Sequence, residues 1–461
     1  MDNNEYGFKK DTLFLVTGGA GFIGSNICER LIEMGYRVRC LDNFSTGSIK
    51  NIEFLLKTKT FELIKGDIND INVCVNACEG VDYVLHQAAF GSVPRSIESP
   101  VLFCKNNISG SVNMLEAARQ SKVKKFVYAS SSSVYGDSAL LPQKEGQEGR
   151  VLSPYALTKR CVEEWAQQYY YHYGVPTIGL RYFNVFGRKQ NPNGAYAAVI
   201  PRFITCLLKG ERPTIYGDGK QSRDFTCVEN VIQANLKACL TDDRANGQVF
   251  NISNGEEVPL FEVYQKIATI LNTDLIPEYC AARKGDIRHS CADIEKAKTQ
   301  LSYEPKTTFD QGIKAAIDWY RRLLKKAVER ITFEIIDKQS KHYTFISQNG
   351  DIEMKTMIEL FGVEEPDIGD LLEIPRDIIY EDEVFNRKRK FPNKLVVSGN
   401  MLSFEKPNDE VTSLAFFFCR FNISWPLLFY SYKICYFNTT FSIVIIYTIF
   451  FFFYFASFNK I

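Results

Sequence analysis

From residue 12 to about 182, short runs rich in β-branched and aromatic residues alternate with longer amphipathic stretches. The runs are TLFLVTG, YRVRCLD, FELIKGD, DYVLHQAA, KKFVYASS and PTIGLRYFN. Between them, 21–34, 48–57, 70–78, 96–118 and the segment carrying YALTK read as helices. Alternation of this kind predicts a doubly wound parallel sheet with helices on both faces. After residue 183 the pattern becomes irregular, with turn signals in NPNG and YGDGKQS and then helical stretches near 228–240, 259–272 and 308–326. The expected organisation is a first domain over 1–182, rejoined by about 224–253, and a smaller α/β subdomain over 183–223 and 254–325. A ligand cleft belongs between them.

Composition sets outer limits. With a net charge of +1 over 461 residues, the whole-chain electrostatics give no reason to expect nucleic acid or a membrane surface as the main partner. Thirteen cysteines, scattered without a CxxC pair, read as reduced buried thiols, and no metal site is expected. The N-terminal stretch MDNNEYGFKKDTLFLV has a polar lead and a short apolar run, unlike a secretory signal, so the main body is expected in the cytosol. Residues 331–392 carry alternating runs separated by acidic turns and read as a small β-rich module. Residues 393–411 read as a linker, and the basic run Arg387 to Lys390 as a solvated face. Within 412–461, Phe441 to Phe458 is a stretch of 18 residues without a charge, long enough to span a bilayer. Two readings stay open there: a membrane anchor that would tether a cytosol-facing enzyme, or a read-through of A/T-rich non-coding sequence.

LVTGGAGFIG sets Gly18, Gly21 and Gly24 where the first strand turns into a helix. Gly18 permits the tight turn, Gly21 lets backbone amides approach a pyrophosphate, and Gly24 lets the helix pack on the strand. Asp42 ends the second strand in CLDN, where an acidic side chain binds ribose hydroxyls and opposes a 2′-phosphate; this favours NAD over NADP. The fold class is therefore α/β, Rossmann-type. In SPYALTK, Tyr155 precedes Lys159 by four residues, so the two share a helix face. An ammonium and a cationic nicotinamide would both lower the phenol's pKa and make Tyr155 a base toward a sugar hydroxyl.

TGGAGFIG, HQAA, YASSSSVYG, SPYALTK and LRYFNVFG occur in the order found in the extended short-chain dehydrogenase/reductases, and the chain resembles that family from about residue 10 to 325. The resemblance implies a triad of Ser131, Tyr155 and Lys159, with Ser132 in support. It implies a cofactor bed of Gly18, Gly21, Phe22, Ile23, Gly24, Asp42, Asn43, Asp67, Ile68, Ala88, Ala89, Asn107, Tyr155, Lys159 and Tyr182. RYFNVFG, GAYAAVIP, YGDGKQSRDF and RKGDIRHSCAD are similar to the nucleotide-sugar 4-epimerases, and GSVPRSIESP is shared with the branch acting on UDP-N-acetylglucosamine. On that resemblance Asn184, Arg223 and Arg283 hold a diphosphate, Asp286 the uridine ribose, and Ser92 and Arg95 the sugar. Ala198, Val199 and Tyr216 complete the nucleotide-sugar site with Ser131 and Ser132. Ser290, four residues after the GD aspartate, stands where a small residue admits a 2-acetamido group and a tyrosine excludes it.

The implied reaction is NAD-dependent 4-epimerisation of UDP-N-acetylhexosamines through a 4-keto sugar, with weaker turnover of UDP-glucose and UDP-galactose, serving polysaccharide biosynthesis as a homodimer. Its rivals are a nucleotide-sugar 4,6-dehydratase and a UDP-glucuronate decarboxylase of the same family. Both lack their expected carboxylates here, because Ser132 and Ser133 follow the serine. A non-catalytic NAD-binding scaffold is the remaining alternative, and a complete Ser/Tyr/Lys set argues against it.

Overall fold

A computed structural model describes residues 6–192, 198–282 and 288–328, and beyond these only isolated strand segments between 332 and 418. Contacts divide the chain into two units, Met1–Arg321 and Arg322–Ile461.

The first unit opens with β1 (Leu13–Thr17), α1 (Phe22–Glu33), β2 (Arg37–Asp42), β3 (Phe61–Lys65), α2 (Ile71–Cys78) and β4 (Tyr83–His86). Short helices α3 (Val93–Glu98) and α4 (Pro100–Phe103) lead through a π-helical turn, Cys104–Ser109, into α5 (Gly110–Ser121). Then come β5 (Lys125–Ser131), α6 (Pro154–Tyr173), β6 (Thr177–Tyr182) and β7 (Val185–Phe186). They are followed by α7 (Val199–Leu208), β8 (Thr214–Tyr216), β9 (Ser222–Asp224), β10 (Thr226–Cys227) and α8 (Val228–Leu240). The series ends with β11 (Gln248–Ile252), β12 (Glu257–Pro259), α9 (Leu260–Leu271), β13 (Glu278–Cys280), α10 (Glu295–Leu301) and α11 (Phe309–Val328).

Seven strands pair in the order β11-β6-β5-β4-β1-β2-β3, and the register is parallel throughout. β1 and β6 are buried at every position, as strands covered on both faces must be. Successive side chains point to opposite faces. Phe14 and Val16 join Ile27 and Leu31 of α1 and Val231 and Ala234 of α8 in one core. Leu13 and Leu15 join Ala77, Leu115, Ala118, Val162 and Ala166 of α2, α5 and α6 in the other. A third core gathers Phe203, Ile204, Ile215, Phe225, Ile267 and Ile313 around the small sheets β7/β10, β8/β13 and β9/β12. The chain order reverses between β1 and β4, and in open parallel sheets ligands bind beyond the strand C-termini at that reversal.

α6 is set by its own ends. Pro154 occupies the first turn, the Ser153 hydroxyl accepts from the Ala156 N–H, and left-handed Gly174 closes the C-terminus. Among the described residues no helix is long and apolar enough to cross a membrane. The stretch 441–458 lies outside them. In the second unit, Thr332–Glu334, His342–Ile346 and Ile352–Thr356 pair antiparallel, as do Leu371–Glu373, Lys394–Ser398, Met401–Phe404 and Phe417–Phe418. Arg387–Lys390, the basic run, is a strand paired with Ile379–Asp382.

Phe126 is fully buried in β5, its ring 5.5 Å from that of His86. Phe126→Ala should cost about 3–5 kcal/mol through the lost burial and the cavity left behind. Thermal unfolding of the full chain should show the loss as a lowered first transition.

Candidate active site

The turn after β1 is dictated by what surrounds it. Gly18 has φ of 66°, its N–H donates to the Leu41 carbonyl at 2.8 Å, and an added Cβ would lie 2.8 Å from the Ala88 backbone. A Cβ on Gly24 would collide with the Gly18 carbonyl. α1 starts at Gly21 with no side-chain cap and no acidic residue in its first turn, leaving backbone N–H groups and the positive end of the helix for an anion. At the end of β2, Asp42 is buried: Oδ2 accepts from the Ala20 N–H at 2.9 Å and Oδ1 from the Phe44 N–H at 2.8 Å. A carboxylate has about four acceptor positions, so two remain for hydroxyl donors.

These groups line one end of a cavity of 570 Å³ whose wall also includes Phe22, Ile23, Asn43, Ile68, Ala88, Ala89, Ser131, Ser132, Tyr155, Lys159, Tyr182 and Asn184. A dinucleotide thus fits residues that are present: an uncapped helix terminus for phosphate, a carboxylate for ribose, and apolar Ile68 and Ala88 for rings. Two residues expected in the bed are not part of this wall. Asn107, in the π-helical turn, donates to the Phe90 carbonyl at 3.1 Å and to Thr158 Oγ1 at 3.0 Å, and accepts from the Phe90 N–H at 2.9 Å. Asp67 accepts from Asn43 at 3.0 Å and from the Asn69 N–H at 2.8 Å. Burial works against its charge, and these hydrogen bonds bring its pKa below the usual value.

At the other end β5 delivers Ser131 against α6. The Ser131 hydroxyl bonds the Tyr155 phenol, and Ser131 Oγ accepts from Ser133 Oγ at 3.0 Å. Lys159 is buried and donates to the Ala129 carbonyl at 2.8 Å. Burial pulls its pKa down to about 8, and the Glu163 carboxylate opposes that. Beneath it the His86 imidazole lies between Thr17 Oγ1 at 2.7 Å and Ser111 Oγ at 2.9 Å; burial first, then the Lys159 charge, bring it down to about 3, so it stays neutral. Tyr155 departs from expectation. Burial raises its pKa, and the lowering contribution within the chain is the Ser131 hydrogen bond rather than Lys159. The polypeptide alone therefore keeps the phenol protonated near neutral pH.

Asn184, with φ of 31°, donates to the Asp224 carbonyl at 3.0 Å and belongs also to a second cavity of 240 Å³, lined by Ala198, Val199, Tyr216 and Arg223 among apolar side chains. Arg223 donates to the Ser222 carbonyl at 2.8 Å. Three residues expected at the sugar line neither cavity. Ser92 caps α3, the Arg95 guanidinium lies 4.9 Å from the Phe90 ring centroid, and Ser290 is buried. Arg283 and Asp286 lie outside the described residues. The sequence reading missed Gln87, Phe90, Asn106 and Gln190 in the first cavity. Gln87 was within reach, since it stands inside HQAA, where its amide accepts from the Tyr182 hydroxyl at 3.1 Å and donates to Asn235 at 3.0 Å.

Residues 14–253 match the model of the NAD dependent epimerase/dehydratase family. A protein of Methanocaldococcus jannaschii named putative UDP-glucose 4-epimerase is 38% identical over 312 residues, covering 67% of this chain and 98% of that one. A UDP-N-acetyl-alpha-D-glucosaminuronate decarboxylase of Bacillus cytotoxicus is 33% identical over 320 residues, covering 67% and 98%. Among solved structures, the UDP-N-acetylglucosamine 4-epimerase from Methanobrevibacter ruminantium in complex with UDP-N-acetylmuramic acid superposes with a TM-score of 0.65 at 37% identity, covering 68% of this chain and all of that one.

Gly24→Val, which drives a side chain into the Gly18 carbonyl, should lower bound dinucleotide about tenfold or more, a loss worth at least about 1.4 kcal/mol. Nucleotide released on denaturing the purified variant measures it.

Proposed function

The chain belongs to the NAD-dependent epimerase/dehydratase family, and from that premise we propose that it interconverts UDP-N-acetylglucosamine and UDP-N-acetylgalactosamine, with UDP-glucose and UDP-galactose as weaker substrates. The observation that carries the reading is the seating of Ser131, Tyr155 and Lys159 on the same cavity wall as the glycine turn and Asp42. NAD, when bound, supplies the acceptor and donor of a hydride at C4. Ser131 bonds the reacting hydroxyl, and Tyr155 takes its proton and returns it. Lys159, charged, steadies the phenolate against the burial that otherwise keeps it protonated. Asn184 and Arg223, joined in sequence by Arg283, are the diphosphate clamp, with Asp286 for the ribose. Holding the nucleotide firmly and the sugar lightly lets either face of C4 be presented.

The preference for acetamido sugars rests on the resemblance at Ser290, where a small residue goes with an admitted 2-acetamido group and a tyrosine with its exclusion. The decarboxylase relative supports a second reading. Against it, Ser132 and Ser133 offer hydroxyls where that chemistry calls for an acid–base carboxylate. The protein is proposed to act as a homodimer. Val101 is 80% exposed, Ile97 63% and Leu157 50%, which puts an apolar surface on α3, α4 and α6 that a second copy would cover.

Incubation with UDP-N-acetylglucosamine should yield UDP-N-acetylgalactosamine and no dehydrated sugar, and incubation with the corresponding UDP-N-acetylglucosaminuronate should release no carbon dioxide. Tyr155→Phe should lower that turnover by about a hundredfold or more. Ser290→Tyr should reduce acetamido turnover about tenfold or more while sparing UDP-glucose. Conversion of neither sugar by the wild-type chain refutes the reading, and acetamido turnover surviving Ser290→Tyr refutes the gate.

A further inference from the structure

One buried carboxylate next to the triad is not used by the reaction as described. Glu163 follows Lys159 by four residues on α6, so the two share a helix face with about 5–6 Å between their Cβ atoms. Its Oε1 accepts from Ser130 Oγ at 2.5 Å and from Arg181 Nε at 2.8 Å, and its Oε2 from Arg181 Nη2 at 2.8 Å. Ser130 and Arg181 are partners in the β5–β6 register, and Ser130 immediately precedes Ser131. The fork therefore fixes α6 against the strand that carries the active-site serine.

Charge points the same way. Arg181 faces two carboxylates, Glu148 and Glu163, and the buried cation on the same helix as Glu163 is Lys159. Glu145, Glu164 and Arg160 complete the charges around this cluster. Lys159 faces Tyr155 on α6, neutral His86 on β4 and the Ala129 carbonyl on β5. Glu163 faces Tyr128 and Ser130 on β5, Arg181 on β6, and, farther away, Lys296 on α10. Glu148 reaches Arg160 at 3.7 Å on the solvent side.

We propose that Glu163 is a positioning residue for the epimerase reaction: locked by Arg181 and Ser130, it holds a fixed negative charge one helical turn from Lys159 and keeps that amine an ammonium. The proposal rests on the function proposed above. Burial lowers the Lys159 pKa and Glu163 raises it, so removing the charge lowers it further. The active form carries the ammonium, and activity is lost as pH rises through the Lys159 pKa. The alkaline limb of the pH profile must therefore move to lower pH when Glu163 loses its charge.

The test compares kcat/KM against pH for the wild type, E163Q and E163D, all full-length and loaded with NAD. E163Q should move the alkaline limb down by about one pH unit, with KM for the UDP-sugar changed less than kcat. E163D, which keeps the charge, should hold the limb near that of the wild type. If E163Q does not fold, E163M/R181M takes its place, since a buried pair replaced by apolar side chains is often tolerated and Arg160 still reaches Glu148, and it should shift the limb in the same direction. A limb unmoved in the variants that lack the charge, or moved equally in E163D, overturns the proposal. A second readout is independent of any sugar. The tyrosinate absorbance of the NAD-loaded protein, taken as the difference from Y155F, should titrate at higher pH in the glutamine variant. An unchanged titration overturns the proposal, while a shifted one in a protein that converts no UDP-sugar supports it and refutes only the reaction.

Discussion

A buried ammonium beside a half-buried phenol is the constraint around which the site is arranged. Taking an amine out of water disfavours its charge, and Lys159 responds with a pKa brought down to about 8. What keeps it usable is local. The Ala129 carbonyl accepts one of its protons, and the Glu163 carboxylate opposes the desolvation. Those contacts need α6 to lie in one register over β5 and β6, and the two-point bond from Arg181 to Glu163 sets that register.

The same geometry explains why the chain stops short of activating its own tyrosine. Tyr155 sits where burial raises its pKa, and a serine hydroxyl alone works the other way. Within the chain the positive charge on the same helix face is Lys159, and in a NAD-dependent family the oxidised nicotinamide would add a second.

The glycine turn was legible in the sequence because its causes are steric and local. Gly18 and Gly24 fill positions where any Cβ meets backbone, and that requirement survives in one dimension as spacing. The parallel sheet was legible for a similar reason, since inner strands such as β1 and β6 are buried at every position and read as short, largely apolar runs between helical stretches. What could not be read depends on register across strands. Glu163 looks like any helical glutamate until β5 and β6 bring Ser130 and Arg181 opposite one another. For Asn107 a motif gives position along the chain and not that its carboxamide bonds Phe90 and Thr158. Ser92 and Arg95 show the same ambiguity: a helix cap and a cation over a ring occupy side chains that the family resemblance assigned to a sugar.

The two cavities share Asn184 and Val185, and this overlap bears on how one protein can grip and release the same molecule. Asn184 takes a positive φ and spends its amide on the Asp224 carbonyl, so its backbone is pinned to β9 and cannot follow a turning ligand. Beyond it the second cavity sets Phe186, Phe203, Ile215 and Phe225 beside Tyr216, Arg202 and Arg223, an apolar floor with cationic side chains at its wall. On the near side the wall turns to Ser131, Ser132 and alanines, small groups that make few contacts. Strong hold at one end and slack at the other follow from side-chain size across a single pinned asparagine. Such an asymmetry is what a reaction that must offer both faces of one carbon to the same base requires.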